Sequence, residues 1–162
     1  MTDTDKAISI YLNDHLAGAM LGSNLAEQIR DRSEGTPRAT VMGRVGAEIE
    51  EGRQTLLAVM ETLGVSQNPV KKVSGWITEK ASNVKFSGAS SGEVDEAMFM
   101  AIESLRIGVT GQRCLWAALK QSAGNYEGLD RFDLDALIER TIEHEQILEQ
   151  LRMDAGAKAL GG

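Results

Sequence analysis

Three ionisable residues stand where apolar ones are expected. His15 lies near the middle of a helical stripe made by Ile8, Tyr11, Leu12, Ala19, Gly22, Ala26 and Ile29. Glu48 lies on the shoulder of the stripe Val41, Val45, Ile49, Gly52, Leu56, Val59 and Leu63. Glu145 lies near the centre of the stripe Leu134, Leu137, Ile138, Thr141, Leu148 and Ala155, with Arg152 one heptad later. These stripes follow from a helical advance of about 100° per residue. A carboxylate on such a face is costly to bury unless it is paired or bound to a metal. If the three residues converge, His15 supplies a neutral imidazole, and Glu48 and Glu145 supply carboxylates. That set suits a single Fe(II) or Mn(II) ion and leaves coordination positions open. The opposing reading is structural. Arg106, Arg113 or Arg152 then neutralise Glu48 and Glu145, His15 is hydrogen-bonded in the core, and no cofactor is expected.

Other candidate motifs fail on context. Gly88-Ala-Ser90-Ser-Gly92 has the spelling of a nucleophile elbow, but that motif needs a strand before the serine and a sheet to present it. His144-Glu145 opens like the zinc motif H-E-x-x-H, yet Leu148 occupies the second ligand position. With two histidines and one cysteine in the chain, a Cys/His zinc site is not available. Cys114 sits among apolar residues and is expected to be a buried, inert thiol.

Helices must position these residues. Aromatics are only 4% of the chain, so the core is built from Leu, Ile, Val, Met and Ala, and no stretch alternates long enough for a strand. Thr36-Pro37 and Asn68-Pro69 read as N-cap and first-turn pairs. Ser90 and Glu93 read as a capping box, and Asp130 and Asp133 can start the last helix. Gly35, Gly64, Gly88 and Gly124 are expected stops. The pattern predicts helices at about 5–32, 37–63, 93–123 and 131–159, with a shorter one at about 69–86. Together they form one helical domain over 1–162, with fraying expected at about 1–4 and 156–162.

The third long helix carries two faces. Met98, Ile102, Leu105, Val109 and Trp116 form one. Ala97, Ala101, Ser104, Gly108, Gly111 and Ala118 form the other. Glycine inside a helix costs about 1 kcal/mol relative to alanine, so a stripe of small residues predicts a closely packed neighbour. That neighbour is either the short helix or a second subunit. Met100, Ile107 and Leu115, outside the main stripe, add to the expectation of a homodimer.

With its helix lengths, inward carboxylates and histidines, and the opening Tyr11-Leu-Asn-Asp-His-Leu-Ala-Gly18, the chain resembles the ferritin-like superfamily, including small bacterial bundles of that fold. The resemblance covers nearly the whole chain. It implies a four-helix bundle in which the 29-residue passage Gly64–Gly92 is the crossover, here carrying its own short helix. Di-iron members place a Glu on each of two helices and Glu-x-x-His on each of the others. This chain has Glu51 where one His belongs, Thr141 where one Glu belongs, and His15 as the inward group of the first helix. Glu103 points about 150° from its helix's apolar stripe. The family's oxidase and iron-storage chemistry therefore does not carry over. Two functions stay open: a non-catalytic interaction or structural module, and a metal-binding protein or metal-dependent oxidoreductase with a reduced His/Glu set.

The net charge of −7 argues against nucleic acid and against anionic membrane surfaces as partners. Lys71, Lys72, Lys80 and Lys85 give one basic stretch, read as solvated lysines. No apolar run approaches the roughly 18 residues of a membrane span, and the acidic N-terminus does not read as a signal peptide. A cytoplasmic location is expected.

Overall fold

Helix boundaries follow from local chemistry. The computed structural model describes residues 3–68 and 91–161, with side chains from residue 5 onward. The expected helix at 69–86 and the Ser90 cap lie outside this range. Four long helices are present: α1 (Asp3–Arg32), α2 (Pro37–Thr62), α3 (Ser91–Ser122) and α4 (Leu134–Leu160). Short 3-10 turns at Ala123–Asn125 and Leu129–Arg131 join α3 to α4, and no strand occurs among the described residues.

Gly35 (φ 77°) ends the turn after α1, and Pro37 occupies the first turn of α2. The Thr36 hydroxyl does not cap α2. It donates back to the Ser33 carbonyl at 2.7 Å. Gly64 (φ 65°) closes α2, letting Val65 N–H donate to the Met60 carbonyl at 2.8 Å, the glycine-dependent way of satisfying terminal carbonyls. Asp133 caps α4 by accepting from Ala136 N–H at 2.9 Å. Gly124 is no left-handed stop: it falls in the 3-10 turn after α3.

Cross-helix contacts fix the directions. Between α1 and α2, Gly22 faces Ile49, Ala26 meets Gly46, and Arg30 reaches Gly43. Residue numbers rise on one helix as they fall on the other, so the pair is antiparallel. Between α3 and α4, Phe99 covers Gly156, Arg106 faces Glu149, Arg113 faces Glu145, and Lys120 pairs with Asp135. That pair is antiparallel too. A seam of Arg44–Glu143, Glu48–His144 and Glu51–Arg140 joins α2 to α4, its two outer pairs running in opposed directions.

The buried side chains form two clusters. One gathers Leu25, Ile29, Met42, Val45, Ile49, Ile102, Leu105, Val109 and Leu148. The other gathers Leu12, Leu16, Leu56, Val59, Met60, Leu115, Trp116, Leu119 and Leu129. Leu115, expected outside the main stripe, is 1% exposed and belongs to the second cluster. Cys114 is exposed rather than buried. Neither α1, α2, α3 nor α4 is long and apolar enough to cross a membrane.

Candidate functional site: a glycine-lined cavity between α1, α2 and α3

The two core clusters do not meet seamlessly. Between them lies a cavity of about 270 Å³. Its inner wall takes Ile49, Leu105 and Val109 from one cluster and Leu56, Leu115 and Trp116 from the other. The cause is legible in the residues at this level. Gly18 and Gly22 on α1, Gly52 on α2, and Gly108 and Gly111 on α3 all line the space. Larger side chains there would join the clusters into one continuous core.

Of these, Gly108 and Gly111 were expected to admit a close neighbour, the helix at about 69–86 or a second subunit, neither of which is among the described residues. A Cβ at Gly18, Gly108 or Gly111 would meet no atom of the described residues within 4 Å, and one at Gly22 would make only ordinary contact. Their smallness therefore leaves room instead of bringing described backbones together. Gly52 differs. The Gln112 amide lies over it, in the place a Cβ would take.

Burial grades from wall to mouth. Leu56, Leu105, Leu115 and Trp116 are nearly inaccessible, whereas Tyr11, Asp14, His15, Gly18, Gly111 and Gln112 are half-buried. The mouth thus carries four polar side chains on a mostly apolar cavity. No described residue hydrogen-bonds to the side chain of Tyr11, Asp14, His15 or Gln112. Tyr11 and His15 touch edge to face, with ring centroids 4.6 Å apart. Burial pushes His15 below its usual range, partly offset by the Asp14 carboxylate, so the ring is neutral at pH 7. Burial also raises the Tyr11 phenol. The Trp116 indole N–H is buried and has no acceptor among the described residues.

His15, Glu48 and Glu145 occupy three separate environments. His15 stands at the cavity mouth. Glu48 accepts a hydrogen bond from His144 Nε2 at 2.6 Å. Glu145 accepts from Arg113 Nε at 3.0 Å. Among the described residues no three His, Cys, Asp or Glu side chains gather closely enough to hold a metal. The expected arginine partner is thus present for Glu145, while Glu48 takes a histidine. Arg152 is held by Glu149 and Glu103. Arg106 comes within 2.7 Å of Glu149, though not in hydrogen-bond alignment.

Sequence reasoning placed His15 and Gly52 on inward faces, and Gly108 and Gly111 on a face turned toward the short helix or a second subunit, but did not join them into a cavity. The available signal was the recurrence of glycine at one level on three helices, together with Asp14 and Gln112 beside apolar stripes. No family model, curated protein or solved structure matches the chain.

Proposed function

We propose that the chain is a non-catalytic binding module, a ferritin-like four-helix bundle without a di-iron centre, whose α1–α2–α3 cavity takes a small, mostly apolar molecule. The observation that carries this reading is the cavity itself. It combines apolar walls with a few polar groups that have no partner among the described residues, the usual make-up of a small-molecule site, and the depressed His15 adds the perturbed titration common at functional sites. The ferritin-like reading is supported by the helix directions. Two antiparallel hairpins, with α2 and α4 opposed, fit a chain whose long crossover joins α2 to α3. The reading as a binder rather than a metal enzyme is supported by the spending of Glu48 on His144 and of Glu145 on Arg113.

Titration with N-phenyl-1-naphthylamine, an uncharged dye that brightens in apolar surroundings, tests the binding reading. Saturable brightening at about one dye per chain is expected from wild type. Gly108→Leu projects a side chain into the open space and should abolish that signal while keeping a helical, cooperatively melting fold. Equal dye binding by wild type and a folded Gly108→Leu would defeat the reading.

For assembly we favour a homodimer. Met20 and Met100 remain 42% and 37% exposed, and Ile107 is half-buried. Light scattering at micromolar concentration should give twice 17.5 kDa; a monomer mass would remove the dimer and leave the cavity reading untouched.

A further inference from the structure

We infer that the mouth of this cavity selects the polar end of its occupant, favouring a molecule that carries a hydrogen-bond donor, an amine above all, on a compact aromatic or aliphatic body, and rejecting a carboxylate or other anion of the same shape. The inference rests on the cavity's being a binding site, and adds which chemistry it accepts.

The body of the occupant is set by the walls. Leu56, Leu105, Val109, Leu115 and Trp116 offer only carbon to the interior, and the glycines opposite present flat backbone. A dry cavity of about 150 Å³ holds benzene, so one of about 270 Å³ has room for a fused-ring or short branched body. Its walls offer no partner to a polar atom, which would lose its water without replacement.

The polar end is set by the mouth. Asp14 is an acceptor only. His15, neutral, offers one ring nitrogen as an acceptor. The Gln112 carbonyl oxygen is a third acceptor. The donors are all uncharged: the Tyr11 hydroxyl, one His15 N–H and the Gln112 amide. Among the described residues, neither lysine nor arginine lines the cavity. An anion there would face the Asp14 carboxylate with no countercharge from the described residues, in a half-buried setting where like charges repel more strongly than in water. The chain's net charge of −7 acts in the same sense at longer range. An ammonium or amine meets the reverse situation, with three acceptors, one of them a carboxylate that no described residue pairs with. Asp14 is therefore the specificity-determining residue and His15 an accessory acceptor.

The test is displacement of N-phenyl-1-naphthylamine from full-length protein by two competitors of matched shape, 2-(1-naphthyl)ethylamine and 1-naphthylacetate. Wild type should be displaced by the amine at about tenfold lower concentration than by the acid, the scale of one charge–charge discrimination. Asp14→Asn, a near-isosteric change at the mouth, should bring the two to within about twofold. Equal competition in wild type, or stronger competition by the acid, overturns the inference while leaving the cavity a binding site. So does an amine preference that Asp14→Asn leaves intact. If the dye does not bind wild type at all, the binding reading falls first and takes this inference with it. The wild-type ratio decides the matter even where the variant folds poorly.

Discussion

His144 Nε2 lies 2.6 Å from Glu48 Oε2, and the imidazole that makes this bond is 1% exposed. It ties α4 to α2 at the centre of the seam flanked by Arg44–Glu143 and Arg140–Glu51. With a carboxylate as acceptor, Nε2 carries a proton, and Nδ1 is buried without a partner among the described residues. Glu48 keeps 27% of its side chain exposed, so it retains some water. His144→Ala should destabilise the fold by about 2–4 kcal/mol, through the lost ring volume and the lost bond to a charged group. Glu48→Gln keeps the shape and an acceptor and should cost about 1 kcal/mol. Urea unfolding of the two variants checks the order; a larger loss for Glu48→Gln would mean that the charge, not the packed ring, holds the seam.

Arg113 and Glu145 make the corresponding tie between α3 and α4. Glu145 is 16% exposed and Arg113 41%, which places the pair between a surface ion pair and a buried one. Glu145→Gln should therefore cost about 1–2 kcal/mol, less than the loss from a fully buried pair. A bound metal would add a second signature, because a ligand that binds only the native state raises Tm. Wild type freed of metal should show no rise in Tm on titration with Fe(II), Mn(II) or Zn(II). A rise that Glu145→Gln abolishes would restore the ligand role of Glu145.

These two ties show where reading from sequence succeeded and where it stopped. Periodicity located the helices closely, because Pro37, Gly35, Gly64 and Asp133 act through local backbone chemistry that needs no tertiary context. It also put Glu48 on the shoulder and Glu145 near the centre of inward stripes, and named Arg113, beside Arg106 and Arg152, as a candidate partner. It passed over His144, although Thr141, His144 and Leu148 recur at intervals of three and four residues and all are buried. The reason is geometric. An averaged stripe has one centre, whereas α4 packs against both α2 and α3, so its buried arc is wider than one stripe. The glycines met a similar limit. Small residues at one level fit either two backbones in close contact or an empty space, and only the positions of the neighbours distinguish them.

His15 makes stability depend on pH in a definite direction. Burial lowers its folded-state value below 6.5. Between that lowered value and 6.5 the unfolded chain holds a proton that the native ring does not, so stability rises with pH through this window. It is complete above 6.5 and is lost as pH falls toward the folded value. The strongly shifted carboxylate works elsewhere. Glu50, held near 2 by Arg53 with help from Gln54 and Ser23, contributes above the ordinary carboxylate range and loses its contribution as pH falls toward 2. Urea midpoints measured at pH 5 and pH 7 should thus differ in wild type, with lower stability at pH 5, and the difference should shrink in His15→Gln. An undiminished difference in that variant would assign the slope to other groups.

Gly128 joins backbone and packing at one point, which makes its substitution informative. Its φ of 87° lies in the left-handed region, where an L side chain costs roughly 1–2 kcal/mol. A Cβ there would also stand 2.7 Å from Thr62 Cγ2 at the end of α2. The loop before α4 is thereby set against the end of α2, beside Leu129, which is fully buried in the second core cluster. Gly128→Ala should lower stability by about 2–3 kcal/mol, the sum of backbone strain and a contact that must open. The two contributions separate in a double variant. Thr62→Ser removes Cγ2 and keeps the hydroxyl that donates to the Ala58 carbonyl at 2.9 Å, so alone it should cost under about 1 kcal/mol. Combined with Gly128→Ala it should recover the steric share and leave the strain, giving a favourable coupling of about 1 kcal/mol. Strictly additive losses in the double-variant cycle would show that the two sites do not press on one another, and that the cost at Gly128 is conformational alone.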